Sequence, residues 1–170
     1  TLLDSFPSLP IIAEDLGLIT PDVREVMERF GFPGMKLLLF AFGEGLPQNP
    51  YIPHNHVENC FVYTGTHDNN TVKGWFEKEA TPEDKERLFN YLGRKISAEE
   101  APWELIRLAM MSVASWVIFP MQDILGLGQE ARMNRPATRK GNWQWRLFPE
   151  QLTPSLARKL LEMAEIYGRT

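Results

Sequence analysis

Four short apolar runs constrain the fold of this chain more than any other feature: residues 10–14, 34–40, 60–64 and 117–123. They are apolar almost throughout, where a half-exposed strand would alternate apolar with polar residues, and that is the pattern of strands buried on both faces. Helical patterns separate them. Thr20-Pro21, with Val23, Val26, Met27 and Phe30 at helical spacing and Gly31 as a stop, predicts a helix after the first run. Further helices are predicted at residues 71–79, from Thr81-Pro82 towards Tyr91, and from Pro102 with Leu105, Leu108 and Met111 on one face. The last starts at Thr153-Pro154 and packs through Leu156, Leu160, Leu161 and Met163. Apolar strands alternating with helices read as βα units around a parallel sheet. A closed barrel of eight such units takes about 250 residues, so four units would make half of one. Residues 1–170 show no internal repeat, low-complexity tract or linker, and no second domain is expected.

Hydrophobic residues make up 44% of the chain and charged residues 24%, enough apolar material for a core. A net charge of −4 argues against a nucleic-acid surface, which needs clustered Lys and Arg. The one basic run, between Arg132 and Lys140, is broken by Pro136 and followed by Trp143 and Trp145. Apolar stretches fall far short of the ~20 residues of a membrane span. Cys60 is the single cysteine, so no internal disulfide forms, and its place at the head of an apolar run reads as core. The chain opens without Met and without a leader pattern, so it is expected to begin in mid-protein.

The chemistry is expected at the carboxyl ends of the strands, where parallel α/β folds carry their working groups. Three runs end at carboxylates, Glu14, Asp68 (through Thr64-Gly65-Thr66-His67) and Asp123, and Glu44 lies in the loop after the second run. Glycosidic bonds are broken by pairs of carboxylates flanking the anomeric carbon. Ile12, Ala13 and Leu16 surround Glu14, and an apolar pocket there would raise its pKa and suit it to general acid work. The alternative is that Glu14-Asp15 caps the next helix. His67 can donate to sugar hydroxyls, and Asp68 can accept from two neighbouring hydroxyls while opposing an oxocarbenium charge. The alternative there is a polar turn. His54 and His56 read as loop or sugar-contact residues, since no cluster has metal-ligand spacing. Trp103 and Trp116 read as core, and the segment bearing Trp143 and Trp145 as packing under a rim rather than stacking on ligand.

The stretches Ile-Ile-Ala-Glu14-Asp-Leu-Gly, Gly-Met-Lys-Leu-Leu-Leu-Phe40-Ala-Phe and Tyr-Thr-Gly-Thr-His67-Asp68-Asn resemble the amylomaltases, the 4-α-glucanotransferases. Leu-Gly-Leu-Gly-Gln-Glu130-Ala-Arg-Met-Asn134-Arg-Pro and Gly-Asn142-Trp-Gln-Trp-Arg146 complete the set, and the likeness covers essentially all 170 residues. It implies an α/β fold, the C-terminal half (strands five to eight) of a parallel TIM-type (β/α) barrel that is incomplete in this chain. It implies transfer of glucans between α-1,4-linked maltooligosaccharides with retention. Glu14 would be the general acid/base and Asp68 the carboxylate that holds hydroxyls and stabilises the transition state. His67, Asn134, Phe40 and Glu44 would contact substrate. Where the family continues His-Asp-Asn-Asp, this chain has Asn70, a change expected to tune the rim of the site. The family's nucleophilic Asp lies on strand four, upstream of Thr1, so the chain alone is expected to be inactive. Its expected partners are the missing N-terminal half, or a second copy covering the open sheet edges. No cofactor or metal is required by the chemistry. The expected compartment is the cytoplasm, or a plastid for a plant source. A non-catalytic glucan-binding module and an α-glucan hydrolase are the alternative functions.

Overall fold

The computed structural model describes residues 11–170. Three parallel strands form one sheet, β1 (Gly34–Leu37), β2 (Cys60–Tyr63) and β3 (Trp116–Ile118), in the order β1-β2-β3. Leu37, Tyr63 and Ile118 stand in one row across it, and Met35, Phe61 and Trp116 in the next row on the same face. Helix α1 (Pro21–Phe30) precedes β1 and ends at Gly31, whose left-handed φ of 66° a side chain would resist. Between β2 and β3 come α2 (Val72–Lys78), α3 (Pro82–Leu92) and α4 (Ala101–Met111). The short α5 (Met121–Ile124) and then α6 (Pro154–Ile166) follow β3. Thr71, Thr81 and Thr153 cap their helices through side-chain oxygens, and Thr81 with Asp84 closes a capping box.

The core lies between the other face of the sheet and the helices. Cys60 and Val62 of β2 join Val72, Trp75, Leu88, Leu105 and Ala109 in one buried cluster, so Cys60 is the core residue it was expected to be. A second cluster, Ile106, Met110 and Met163, fastens α6 to α4. Met111, expected on the packed face of α4, is exposed, and Met110 takes its place. Trp116, expected in the core, is half-exposed on the opposite sheet face, stacked on Phe61 at 4.6 Å.

The first apolar run departs most from expectation. Residues 11–14 adopt no strand, while residue 10 falls outside the described residues. The segment lies along β1 with a single backbone bond, Ala13 N–H to Pro33 O at 2.9 Å. The next ladder position is taken by a side chain: Asp15 Oδ1 accepts the Met35 N–H at 2.6 Å. Gly34 makes room for it, since a Cβ there would stand 2.6 Å from the Asp15 carboxylate. The run at 34–40 is a strand only to Leu37 and then a turn, Leu38–Phe40. The run at 117–123 likewise stops at Ile118, and Asp123 falls in α5.

Polar side chains tie β2 to β3 at both ends. At the amino end His56 lies buried, its Nε2–H donating to Tyr51 O at 2.8 Å. That bond leaves Nδ1 to accept from the Ser112 hydroxyl at 2.7 Å, and Ser112 Oγ in turn accepts from Ala114 N–H at 3.1 Å. Burial holds His56 neutral, lowering its pKa from 6.5 to about 4 against the opposing effect of the Tyr51 carbonyl. At the carboxyl end Asp123 is 1% exposed and accepts from Thr64 Oγ1 at 2.5 Å and Val72 N–H at 2.8 Å. Burial raises its pKa from 3.8 to about 6, and its two donors pull the other way.

A candidate active-site cleft

Beyond the carboxyl ends of the strands a cleft of about 680 Å³ opens, with Leu37, Tyr63 and Ile118 as its apolar wall. The turn after β2 supplies its polar side. Gly65 leaves β2 so close to Leu39 that a Cβ would stand 3.0 Å from Leu39 Cδ1. Asn69 Oδ1 then accepts from Thr66 N–H at 2.8 Å and Thr66 Oγ1 at 2.9 Å, folding the chain back on itself. That turn holds His67 and Asp68 at the cleft, with His67 Nε2 3.4 Å from Asp68 Oδ1.

Asn134, sixty-six residues further on, comes to the same carboxylate. Its Nδ2 donates to Asp68 Oδ1 at 2.6 Å, and its backbone N–H donates to His67 O at 3.0 Å. Among the described residues no group bonds to Asp68 Oδ2, and the side chain is half-exposed, which suits a carboxylate that receives hydroxyl donors. Glu14 and Phe40 also line the cleft, Phe40 standing edge-on to Tyr51 at 5.4 Å. Glu14 is exposed, and the apolar enclosure expected around it does not form among the described residues. Glu44 is exposed on the loop past Phe40 and is not part of the cleft wall.

Two contributors escaped the sequence reading. Arg132, in the basic run, lines the cleft and donates to Asp68 O from Nη2 at 2.8 Å. Trp143 was expected to pack beneath a rim. It lies 53% exposed on the cleft, with its ring 5.1 Å from that of His67. Its φ of 62° breaks the extended alternation that would have set it beside Trp145. Asn70, expected at the rim, is buried in the cleft wall. Asp123, read as a working carboxylate, is buried outside the cleft wall, and His54 and His56 bond to the protein itself. Among the described residues no three His, Cys, Asp or Glu side chains gather as metal ligands, and no helix is long and apolar enough to cross a membrane.

Carboxylates and aromatic faces gathered at the carboxyl ends of parallel strands are equipment for sugar chemistry. The family model described as 4-alpha-glucanotransferase (glycoside hydrolase 77) matches residues 1–151, and the chain belongs to this family. It is 52% identical over 163 residues to a 4-alpha-glucanotransferase of Synechocystis, covering 95% of this chain and 32% of that protein. A 4-alpha-glucanotransferase of Thermus thermophilus is 48% identical over 170 residues, covering 96% and 34%. Among solved structures, the amylomaltase from Streptococcus agalactiae in complex with acarbose superposes with a TM-score of 0.91 at 39% identity, over 99% of this chain and 34% of that one. The chain thus spans about a third of the length of the curated relatives it matches.

Proposed function

We propose that this chain is the acid/base and sugar-holding portion of a 4-α-glucanotransferase, acting on α-1,4-linked maltooligosaccharides with retention. The observation that carries the reading is the meeting of Asp68, Asn134 and His67 from distant parts of the sequence at a cleft that Glu14 also lines. Glu14 protonates the departing glycosidic oxygen and then takes a proton from the incoming sugar hydroxyl, one carboxyl serving both half-reactions as retention requires. Its exposure keeps it within reach of both sugars. Asp68 accepts from neighbouring hydroxyls of the sugar being cleaved, and its charge favours the oxocarbenium-like transition state. The Asn134 amide holds Oδ1, which directs Oδ2 towards substrate. His67 donates to a hydroxyl, and Phe40 and Trp143 offer apolar faces to sugar rings. The role of nucleophile falls to none of these residues.

The three parallel strands are read as part of a (β/α) barrel, with Leu37, Tyr63 and Ile118 facing its interior. The remaining barrel strands, or a second copy, are its proposed partners, with action in the cytoplasm or, for a plant source, a plastid. The buried, unpaired Cys60 is compatible with a reducing compartment. The test is maltotriose disproportionation by a polypeptide of the relatives' full length that carries these residues. Glu14→Gln is expected to cost about 10³-fold or more in kcat, within the range for removing a positioned acid/base. Its melting temperature should stay unchanged. Turnover near the parent level would end the assignment.

A further inference from the structure

At the cleft wall begins a polar cluster that none of these roles uses: Asn70 and Arg132, which line the cleft, with Glu79 and Gln129. The Arg132 side chain is 16% exposed and sends each nitrogen to a different segment. Nε donates to Asn134 O at 2.8 Å, Nη2 to Asp68 O at 2.8 Å and Nη1 to Glu79 Oε1 at 3.0 Å. The two carbonyls belong to the residues whose side chains meet in the cleft. One planar guanidinium therefore fixes both halves of that contact, which three directed donors can do and an ammonium cannot.

Glu79, just past the end of α2, balances the charge. Its Oε1 also accepts from Asn70 Nδ2 at 2.9 Å, so an amide and a guanidinium share one carboxylate oxygen. Asn70 is 3% exposed, its Oδ1 accepts from Thr71 N–H at 3.0 Å, and its Nδ2 also reaches Gln129 Oε1 at 3.3 Å. Gly74 keeps the space: a Cβ there would collide with Asn70 Oδ1 and stand 2.9 Å from Gln129 N. A carboxylate at position 70 would set two negative charges about 3 Å apart and, with the amide donor to Oε1 gone, leave Glu79 to compete with the Asp68 and Asn134 carbonyls for the guanidinium. The other charged groups nearby are Asp68 with His67, Glu130, which accepts the Gly128 N–H in the turn carrying Gln129, and Arg135 and Lys140, which line a hollow together with Gln129 and Arg132.

We propose that Arg132 is the positioning residue that sets the Asp68–Asn134 pair in the cleft, and that the neutral amide of Asn70 keeps Glu79 from drawing the guanidinium away. The proposal rests on the sugar-holding role of Asp68. Its test compares the parent, N70D and N70D/E79Q in the full-length polypeptide. The double variant moves the negative charge from 79 to 70 and keeps one carboxylate and one amide.

Two readouts are followed from about pH 5.5 to 8: kcat/KM for maltotriose, and the Asn134 side-chain amide resonances, which report the bond to Asp68. In N70D, kcat/KM should fall about tenfold near pH 8 and about threefold or less near pH 5.5, where the paired carboxyls share a proton. The amide resonances should titrate with it. N70D/E79Q should return both to the parent pattern. A parent-like profile in N70D, or a double variant as impaired as the single one, overturns the proposal. Should the parent transfer no glucan, the proposed function falls, while the amide resonances still decide the positioning role. Should N70D fail to fold, R132K decides: KM should rise about tenfold with the melting temperature within a few degrees, because the charge stays and the fork is lost. An unchanged KM overturns it.

Discussion

The two ends of the sheet solve one problem, tying β2 to β3 through buried polar side chains, with opposite chemistry. At the amino end the buried titratable group, His56, is held neutral. In a single tautomer His56 donates to Tyr51 O and accepts from the Ser112 hydroxyl, and Arg169 donates to the carbonyls of Met110, Ser112 and Ala114 from all three of its nitrogens. At the carboxyl end the knot is a carboxylate, Asp123, with Arg132 above it reaching to separate loops. Arg169 grips one stretch of chain, whereas Arg132 joins its own loop at Asn134 to Glu79 and Asp68, 53 and 64 residues away. The amino end ties the sheet together, and the carboxyl end, on the proposed reading, also sets Asp68 and Asn134 in place.

The sharpest break of this symmetry is in pH. His56 is depressed to about 4 from 6.5, so the unfolded chain takes its proton first and stability is lost as pH falls from 6.5 through 4. Asp123 is raised to about 6 from 3.8, so its contribution is full below 3.8 and is lost as pH rises through 6. Between 4 and 6 the two slopes oppose and largely cancel. Asp123→Asn should therefore leave the His56 slope bare, with urea midpoints falling on acidification. His56→Gln should leave the Asp123 slope bare, with midpoints falling as pH rises from 4 to 6. Midpoints tracking the parent in both variants would refute the balance.

A smaller effect separates the ends. Ser112→Ala leaves His56 Nδ1 and Ala114 N–H unsatisfied in the interior, which should cost about 2 kcal/mol in urea unfolding. Glucan transfer by the full-length polypeptide should be unaffected at temperatures where it stays folded. The smallest effect sits at the other end. Thr64→Val removes one of Asp123's two donors, with an expected loss of about 1 kcal/mol at pH 7. The loss should shrink near pH 4.5, where Asp123 is protonated, and a pH-independent cost would show that the hydroxyl serves packing alone.

Much of this was legible in the sequence, and the misses have a common cause. Thr71, Thr81-Pro82 and Thr153-Pro154 announce their helices because capping is a contact between near neighbours. The runs that became β1, β2 and β3 are visible as apolar stretches, although β1 and β3 end earlier than the apolar residues do. The run before Glu14 is not a strand in residues 11–14, because the amide of Met35 is spoken for by Asp15, a contact made across twenty residues. Of the candidate site, His67 and Asp68 were legible as a polar turn leaving a strand. Arg132 was not: nothing in a run of basic residues says which one will find a carbonyl sixty-four residues away. Asp123 misled for the complementary reason, since a charge at the end of an apolar run looks the same whether it meets solvent or two buried donors.

Trp143 carries a consequence of its own. Its backbone sits at a φ of 62°, where glycine or asparagine would rest easily and an indole does not, a misfit of roughly 1 kcal/mol. The proposed sugar role gives an indole at this position on the cleft a use that offsets the misfit. A library screened only for heat resistance should discard this ring early, and on the proposed function its survivors should be sturdier molecules that transfer glucan less well.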